Sequence, residues 1–130
     1  MLQVKSKVWL EKNENLVFGS GKALILRAIA ETGSINKAAK KLNMSYRHAW
    51  SYIRSAEQKM NRQLLIRVKG GFDGGGAYLT EYAKDLLIKF EALESKITEF
   101  VDCCYEEIFV NDNKKLIEGN RGEDGTCKNN

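Results

Sequence analysis

Two short helical patterns follow one another in residues 33–67, which read GSINKAAKKLNMSYRHAWSYIRSAEQKMNRQLLIR. Ser34 and Ser45 each stand directly before one of these patterns, and a serine in that place caps a helix by accepting a hydrogen bond from a free backbone N–H. The first pattern predicts a short helix buried through Ile35, Ala38, Ala39 and Leu42. The second predicts a helix over about 46–59 buried through Ala49, Ile53, Ala56 and Met60. With the tight turn Asn43-Met44 between them, the two helices make a helix-turn-helix.

Positive charge is concentrated in the same part of the chain. Residues 34–71 hold nine basic residues and one acid, Glu57, a net charge of +8, whereas the whole chain carries +4. The basic residues are Lys37, Lys40, Lys41, Arg47, Arg54, Lys59, Arg62, Arg67 and Lys69. Charge segregated in this way is typical of a surface that meets a polyanion, and double-stranded DNA is the leading candidate.

A β-hairpin and a helix are predicted in front of this region. Residues 2–10 alternate apolar and polar side chains with the period of a half-buried strand, and a turn at 13–15 leads to a short return strand at 16–18. The next helix is predicted over about 22–31, with Ser20 as its N-cap and Gly33 as its C-terminal cap. Its inner stripe is predicted to be Leu24, Ile25, Ala28 and Ile29.

A second hairpin is predicted after the helix-turn-helix. Its strands cover 64–68 and 77–79, and the connection over 69–76 is rich in glycine. That connection lacks the Gly-Lys-Ser/Thr ending of a P-loop and joins two strands, so it is predicted to be the tip of a wing rather than a phosphate cradle. The predicted fold class is mainly α with a small β content. It is a winged helix-turn-helix domain over residues 1–79 that begins with the N-terminal β-hairpin.

A long helix is predicted for residues 80–110. Apolar residues recur every three or four positions from Leu79 to Cys104, a heptad-like stripe that favours pairing with a second helix. We predict that this helix forms a homodimer through Leu86, Phe90, Leu93, Ile97, Phe100 and Cys104. The net charge of residues 80–112 is −6, which would keep the helix away from a phosphate backbone. The polar residues 111–130 are predicted to be a disordered tail.

The recognition helix supplies the first group of predicted DNA contacts. Residues at the N-terminal end of such a helix reach base edges in the major groove, and here they are Tyr46, Arg47, His48 and Ser51. Arginine offers a bidentate fork to guanine, histidine and serine donate to base or phosphate, and tyrosine packs on a sugar or a thymine methyl group. Arg54 lies farther along the helix and is predicted to hold phosphate.

The second group of predicted contacts lies around this helix. On the helix-turn-helix these residues are Ser34, Lys37, Lys40 and Ser45. On the wing they are Arg67, Lys69, Gly71, Gly74 and Gly75, and the glycines permit close approach of the backbone to the minor groove or to phosphates. The alternative is that the Tyr/Arg/His face of the recognition helix is simply solvated. Trp50 is predicted to be a core or edge residue, with contact to the DNA partner as the alternative.

Catalysis and metal binding find little support in the sequence. No Ser-His-Asp or Cys-His pairing is suggested, and His48 has no partner at metal-ligand spacing. The three cysteines lack a Cys-x-x-Cys spacing and are expected to be reduced, with an intermolecular or redox-sensing pair as the alternative. No run approaches the roughly 18 apolar residues of a membrane span, so we expect a cytoplasmic protein with no membrane partner.

A specific combination of motifs identifies a family resemblance. Ser-Tyr-x-x-Ala-Trp at 45–50 is followed by Gly-Gly-x-x-Gly-Gly-Gly-Ala at 70–77. Over about 18–87 the chain thus resembles the N-terminal DNA-binding domain of the ModE-type molybdenum-responsive regulators, a relative of the LysR-type winged helix. The resemblance implies a transcription factor that dimerises in part through the helix after the wing and reads a palindromic operator.

The resemblance also carries expectations about residues and ligands. It assigns Ser45, Tyr46, Arg47 and Ser51 to the recognition surface and 70–76 to the wing. Full-length members of that family continue into a C-terminal oxyanion-binding domain, which does not follow in this sequence. We therefore expect no cofactor, and binding of molybdate or tungstate by this polypeptide is doubtful.

Three functional hypotheses follow from these observations. The main one is a homodimeric, sequence-specific regulator of transcription that binds double-stranded DNA. The second is a winged-helix protein-interaction module that acts through its acidic C-terminal helix. The third is direct oxyanion sensing by this short chain.

Overall fold

The structure, a computed structural model, describes residues 1–69 and 76–111. Its helices are α1 (Ser20–Thr32), α2 (Ile35–Lys41), α3 (Tyr46–Met60) and α4 (Glu81–Tyr105), followed by a π-helical turn at Glu106–Val110. Its strands are β1 (Trp9–Lys12), β2 (Asn15–Gly19), β3 (Leu65–Val68) and β4 (Gly76–Leu79). One compact unit comprises Val8–Glu91, and the other comprises Met1–Lys7 together with the chain from Ala92 onward.

The predicted helix-turn-helix is confirmed. Ser34 Oγ accepts a hydrogen bond from the Lys37 N–H at 3.1 Å, and Ser45 Oγ accepts one from the His48 N–H at 3.0 Å. These bonds satisfy donors that the first turn of a helix leaves without a backbone partner. Between the helices Asn43 takes a left-handed conformation with φ of 61°, which asparagine tolerates better than most residues. The predicted winged-helix fold is confirmed as well, with β3 and β4 paired antiparallel after α3.

The core of the first unit is built from small residues of α2 and α3 and large residues around them. Ala38, Ala49 and Ala56 are fully buried, and their small side chains permit close approach of the helices. The largest buried side chains are Phe18, Ile25, Leu26, Ile29, Ile53, Leu64, Leu87 and Phe90. Phe18 and Phe90 meet edge to face with ring centroids 5.2 Å apart, a favoured aromatic geometry. Strand β2 and helix α4 are thereby joined at the centre of the unit.

Helix α1 differs from its prediction at both its start and its inner face. It begins at Ser20, so Gly19 is the N-cap and makes no side-chain hydrogen bond. Leu24 was predicted to be buried but is 57% exposed, whereas Ala23 and Leu26 are buried. The reason is the helical period: Leu24 points away from the side that carries Ile25 and Leu26.

The first strand is shorter than the sequence pattern indicates. Alternation extends over residues 2–10, but β1 covers only Trp9–Lys12. Its partner β2 has five residues, and pairing ends where Trp9 meets Gly19. Because a strand needs a neighbour for its backbone groups, the alternating residues ahead of Trp9 do not form one.

The prediction that α4 pairs two copies of the chain is wrong for the first half of the helix. Phe90 was predicted to pair two copies of the chain, but it is 1% exposed and lies in the core of its own unit. Ala83 and Leu87 are buried beside it, and Leu86 packs partly buried against the same core. The heptad-like stripe therefore begins as the edge of the winged-helix core, because β2 and α1 already cover it. After Glu91 the apolar side chains Leu93 and Phe100 are 38% and 51% exposed.

Several predictions concern the chemistry and the ends of the chain. Cys104 carries a free thiol, whereas Cys103 is disulfide-bonded, so the expectation of reduced cysteines is wrong for Cys103. The glycine tip at 70–75 and the predicted disordered tail from residue 112 onward lie outside the described residues. Within residues 1–69 and 76–111, no helix has both the length and the apolar character that crossing a membrane requires.

Two glycines join the wing to the helix-turn-helix. Gly33 ends α1 in the left-handed region with φ of 74°, where a residue with a Cβ would be strained. Its carbonyl oxygen accepts a hydrogen bond from the Ala77 N–H of β4 at 3.0 Å. A Cβ added to Gly76 would stand 2.9 Å from that same oxygen. Strand β4 can therefore lie this close to the α1–α2 turn only if residue 76 has no side chain.

We expect Gly76→Ala to lower the free energy of unfolding by about 1–3 kcal/mol, because its methyl group would push β4 off the Gly33 carbonyl. Urea denaturation followed by circular dichroism measures this change. The matched control is Gly21→Ala in α1, whose added Cβ would make an ordinary 3.4 Å contact with the Tyr52 ring. The control should be neutral or stabilising by up to ~1 kcal/mol, since alanine favours helix. Equal losses for the two variants would contradict the close approach at Gly76.

Candidate nucleic-acid interface

The predicted recognition helix exposes the residues that were assigned to DNA contact. Ala49, Ile53 and Ala56 turn one face of α3 into the core. The predicted contact residues of the helix are all exposed, and they are Tyr46, Arg47, His48, Ser51 and Arg54. Burial and exposure alternate with the helical period, so one helix both anchors the fold and presents a polar surface.

A groove of about 870 Å³ lies between the start of α2, the start of α3 and the wing strands. Its walls include five predicted contact residues, namely Ser34, Lys37, Tyr46, Arg67 and Lys69. None of the described residues that line it is acidic. The folded chain therefore brings the recognition helix and the wing together around a positively charged cleft.

Arg67 of β3 connects the wing to the recognition helix. Its guanidinium donates a hydrogen bond to Tyr46 Oη at 2.8 Å and lies over the ring of Trp50, 4.6 Å from the ring centroid. The guanidinium of Arg54 lies 5.8 Å from the centroid of the same ring. Both distances fall within the range of a cation–π interaction. Two predicted phosphate contacts are thus gathered around one tryptophan.

A second aromatic cluster lies where α1 and α3 approach each other. His48 stacks on Tyr52 with ring centroids 4.6 Å apart, and the ammonium group of Lys22 lies 5.0 Å from the Tyr52 centroid. Partial burial, with a smaller contribution from the like charge of Lys59, lowers the pKa of Lys22. The ring of His48 thus has an aromatic partner, Tyr52, one turn farther along the same helix.

Three of the nine basic residues in the +8 region have structural partners elsewhere. Lys41 pairs with Glu31 at 2.6 Å, and this hydrogen bond lowers the pKa of the glutamate. Lys59 Nζ donates to the Leu16 carbonyl at 3.2 Å. The third, Arg62, stacks on the ring of Tyr82 at 4.4 Å. The side chains of all nine are exposed, and the six without these partners are Lys37, Lys40, Arg47, Arg54, Arg67 and Lys69.

Glu57, the single acidic residue of 34–71, has a structural role. The Glu57 carboxylate accepts hydrogen bonds from the backbone N–H groups of Leu64 and Leu65, at 2.8 and 3.3 Å. It thereby satisfies two backbone donors where α3 gives way to β3. Both bonds end on Oε2, and no salt bridge joins Glu57 to Arg54 or Arg67 within the described residues, although all three line one depression beside Trp50.

The remaining predicted contacts have different settings. Ser34 and Ser45 use their hydroxyl oxygens as helix caps, as described above. Gly71, Gly74 and Gly75 lie outside the described residues. Among the residues that the structure does describe, no group of three or more histidine, cysteine or acidic side chains could hold a metal ion.

Sequence reasoning kept contact of Trp50 with the partner only as an alternative and gave no role in the site to Tyr52 or Lys22. Trp50 stands four residues after Tyr46 and four before Arg54, so helical spacing alone places these side chains on one stripe. That spacing could have identified the tryptophan as part of the surface. No local signal links Lys22 to Tyr52, because thirty residues of chain separate them and only the packing of α1 on α3 brings them together.

Comparison with known sequences agrees with this architecture. Residues 22–84 match the bacterial regulatory helix-turn-helix proteins of the lysR family. The molybdenum transport protein ModE of Azotobacter vinelandii is 37% identical over 84 residues, which are 65% of this chain and 31% of that protein. The transcriptional regulator ModE of Haemophilus influenzae is 43% identical over 70 residues, 54% of this chain and 28% of that protein. The chain thus spans about a third of the length of the curated relatives it matches.

Solved structures show the same fold. The CbnR DBD–DNA complex superposes with a TM-score of 0.52 at 18% identity and covers 75% of this chain and 95% of that chain. A variant of ZitR from Lactococcus lactis superposes with a TM-score of 0.51 at 23% identity and covers 88% and 78%. Residues 22–84 thus match the helix-turn-helix of the bacterial lysR family, the ModE regulators are similar in sequence to this part of the chain, and the solved structures share its fold.

Proposed function

We propose that this chain is a sequence-specific transcriptional regulator that binds double-stranded DNA as a homodimer. One observation carries the proposal: all nine basic side chains of residues 34–69 are exposed and only Lys41 of them is in a salt bridge within the described chain, while the only acid there, Glu57, accepts hydrogen bonds from backbone N–H groups. An exposed surface with so large an excess of positive charge attracts phosphate. The family match and the ModE relatives support the same assignment.

The proposed docking places the N-terminal half of α3 in the major groove. Arg47 there has the exposure and the donor geometry to bind the O6 and N7 atoms of guanine. His48 and Ser51 lie on the same exposed helix and can donate to a base edge or a phosphate. The wing then stands beside the neighbouring minor groove, with Arg67 and Lys69 toward the backbone. In a dimer the two recognition helices would enter successive major grooves about 34 Å apart.

The proposed dimer surface is the later part of α4. Leu93, Ile97, Phe100 and Cys104 follow one another at spacings of four, three and four residues, as on the seam of a coiled coil. Leu93 and Phe100 are exposed large apolar side chains in the isolated chain. Covering them with the same residues of a second copy would remove apolar surface from water, which favours association. Phe90, being buried, has no part in this surface.

The exposed apolar side chains of α4 also fit the competing function, a protein-interaction module. In that case the helix would bind a different protein and the basic surface would have no DNA partner. Ile108, Phe109 and Val110 extend the exposed apolar set beyond α4. The DNA-binding and oligomerisation measurements below separate the two functions.

We expect DNA affinity to depend steeply on salt. With about 6–10 phosphate contacts per dimer, the association constant should fall by roughly three to five decades between low and physiological salt. Fluorescence anisotropy with labelled genomic fragments measures this slope. Addition of molybdate or tungstate should change neither the affinity nor the melting temperature, since we propose that binding needs no cofactor. A flat salt response, or no retardation of DNA together with co-purification of another protein, would favour the interaction module.

Arg47→Ala and Lys40→Ala should weaken DNA binding in different ways. Loss of a base contact by Arg47 should cost about 1–3 kcal/mol on the cognate site and relax specificity at one position. Loss of Lys40 should weaken binding to all sequences alike and make the salt slope shallower by about 1. Sites selected from a random oligonucleotide pool supply the cognate duplex, and scrambled duplexes serve as the comparison. The same loss on both duplexes for both variants would refute this division of roles.

Phe100→Glu should convert the homodimer to a monomer, because a carboxylate in the middle of an apolar seam would be desolvated without a partner. Sedimentation velocity at several protein concentrations measures the association. Leu24→Glu is the matched control, since Leu24 is about as exposed but belongs to α1 and not to the apolar seam of α4, and it should leave the dimer intact. A wild-type chain that sediments as a monomer at every concentration would overturn the dimer.

A further inference from the structure

Trp50 holds an unusual position among the aromatic side chains of the winged-helix unit. It is half-buried and packs against the core, yet its ring carries the guanidinium groups of Arg67 and Arg54 at 4.6 and 5.8 Å. Arg54 comes from the same helix, one turn farther on, whereas Arg67 comes from β3 of the wing. One ring therefore orients cations from two different elements.

Neither arginine is neutralised within the described part of the chain. No salt bridge joins Arg54 or Arg67 to an acid there, and the nearby Glu57 carboxylate accepts from backbone N–H groups instead. The partners that hold Arg67 are an indole ring and a phenol, which are both uncharged. A neutral partner restricts the side chain without cancelling its charge, so the full positive charge stays available to an anion.

Arg27 shows the opposite arrangement in the same unit. Its Nε donates to Glu91 Oε2 at 3.0 Å, and a second N–H donates to the other carboxylate oxygen. This bidentate pair raises the pKa of Arg27 and ties α1 to α4. Arg27 is thus paired with a carboxylate, whereas Arg54 and Arg67 are held by the uncharged groups of Trp50 and Tyr46.

The Arg67–Tyr46 hydrogen bond leaves both groups able to bind phosphate. A guanidinium has five N–H donors, of which this bond uses one. Tyr46 Oη accepts that bond, so its own O–H can still donate. Both residues line the groove between α2, α3 and the wing, together with Lys37 and Lys69.

We propose that Trp50 is a positioning residue for DNA binding: it orients Arg67 and Arg54 so that the Arg67–Tyr46 pair clasps a backbone phosphate between recognition helix and wing. This inference rests on the proposed function. The negative face of the indole ring reduces the repulsion between the guanidinium groups of Arg54 and Arg67. It also orders these two side chains before DNA binds, so that less conformational entropy is lost on binding. The ligand of the clasp is a phosphodiester of the DNA backbone, whatever the base sequence.

The test compares Trp50→Phe with Trp50→Leu. Both keep an apolar side chain against the core, but only phenylalanine keeps an aromatic face for the guanidiniums. Fluorescence anisotropy with a labelled duplex of arbitrary sequence, over a range of salt, should show binding roughly tenfold weaker for leucine. Its salt slope should be shallower by about 1–2. Phenylalanine should stay within about threefold of wild type. Melting followed by circular dichroism confirms folding, and Trp9→Leu in the β1–β2 hairpin is the control without a guanidinium neighbour.

A double-mutant cycle asks whether Trp50 acts through Arg67. Arg67→Ala should cost much less in the Trp50→Leu background than in wild type, because the arginine there is no longer held. Fully additive losses would overturn the inference. So would equal losses for the phenylalanine and leucine variants, or a leucine variant that binds like wild type with the same salt slope.

Two outcomes separate this inference from the function on which it rests. If wild-type protein fails to bind the duplex, the proposed function itself fails. If Trp50→Leu does not fold, Trp9→Phe leaves Trp50 as the single tryptophan of the chain. Its emission should then change when duplex is added, since phosphate would alter the cations over its ring. Constant emission while anisotropy reports binding would refute the positioning role and leave the regulator intact.

Discussion

The wing can lie against the helix-turn-helix because two glycine backbones meet where α1 ends and β4 begins. Gly33 adopts a left-handed conformation, and its carbonyl oxygen accepts a hydrogen bond from the Ala77 N–H. Gly76 has no Cβ, which would otherwise push β4 away from that carbonyl oxygen. This joint sets the distance between β3 and α3. That distance in turn allows Arg67 to reach Tyr46 and Trp50 and gives the cationic groove its walls.

Charge in this domain is divided by the kind of partner that each side chain has. Arg27 and Lys41 are paired with acids, and these pairs connect α1 to α4 and to α2. Arg54 and Arg67 are held by an indole ring and a phenol, and the only nearby acid, Glu57, is bonded to the backbone. Arg27 and Lys41 are thus paired with opposite charges, whereas Arg54 and Arg67 are not. The net charge of the region shows that cations are in excess, but only the folded structure shows which of them are paired with an acid.

Much of this architecture could be predicted from the sequence, because its signals are local. Ser34 and Ser45 as helix caps, Gly33 as the end of α1 and the alanines of α2 and α3 act within a few residues of their own position. The fold class, the buried face of α3 and the exposure of its predicted DNA contacts follow from such signals. The motifs at 45–50 and 70–77 added the family resemblance.

Other properties depend on which elements meet in space. The heptad-like spacing predicts that one side of α4 is apolar, but it does not tell whether that side packs against a second copy or against the same chain. Phe90 packs against Phe18 of β2 in the same chain. The alternation before Trp9 likewise predicts a strand, which fails because β2 is too short to pair with it. Trp50 gathers Arg54 through helical spacing, which sequence contains, but Arg67 only through the fold of the wing. Local chemistry determined the elements and their caps, and long-range packing decided their partners, because burial and hydrogen bonding between distant residues exist only once the chain has folded.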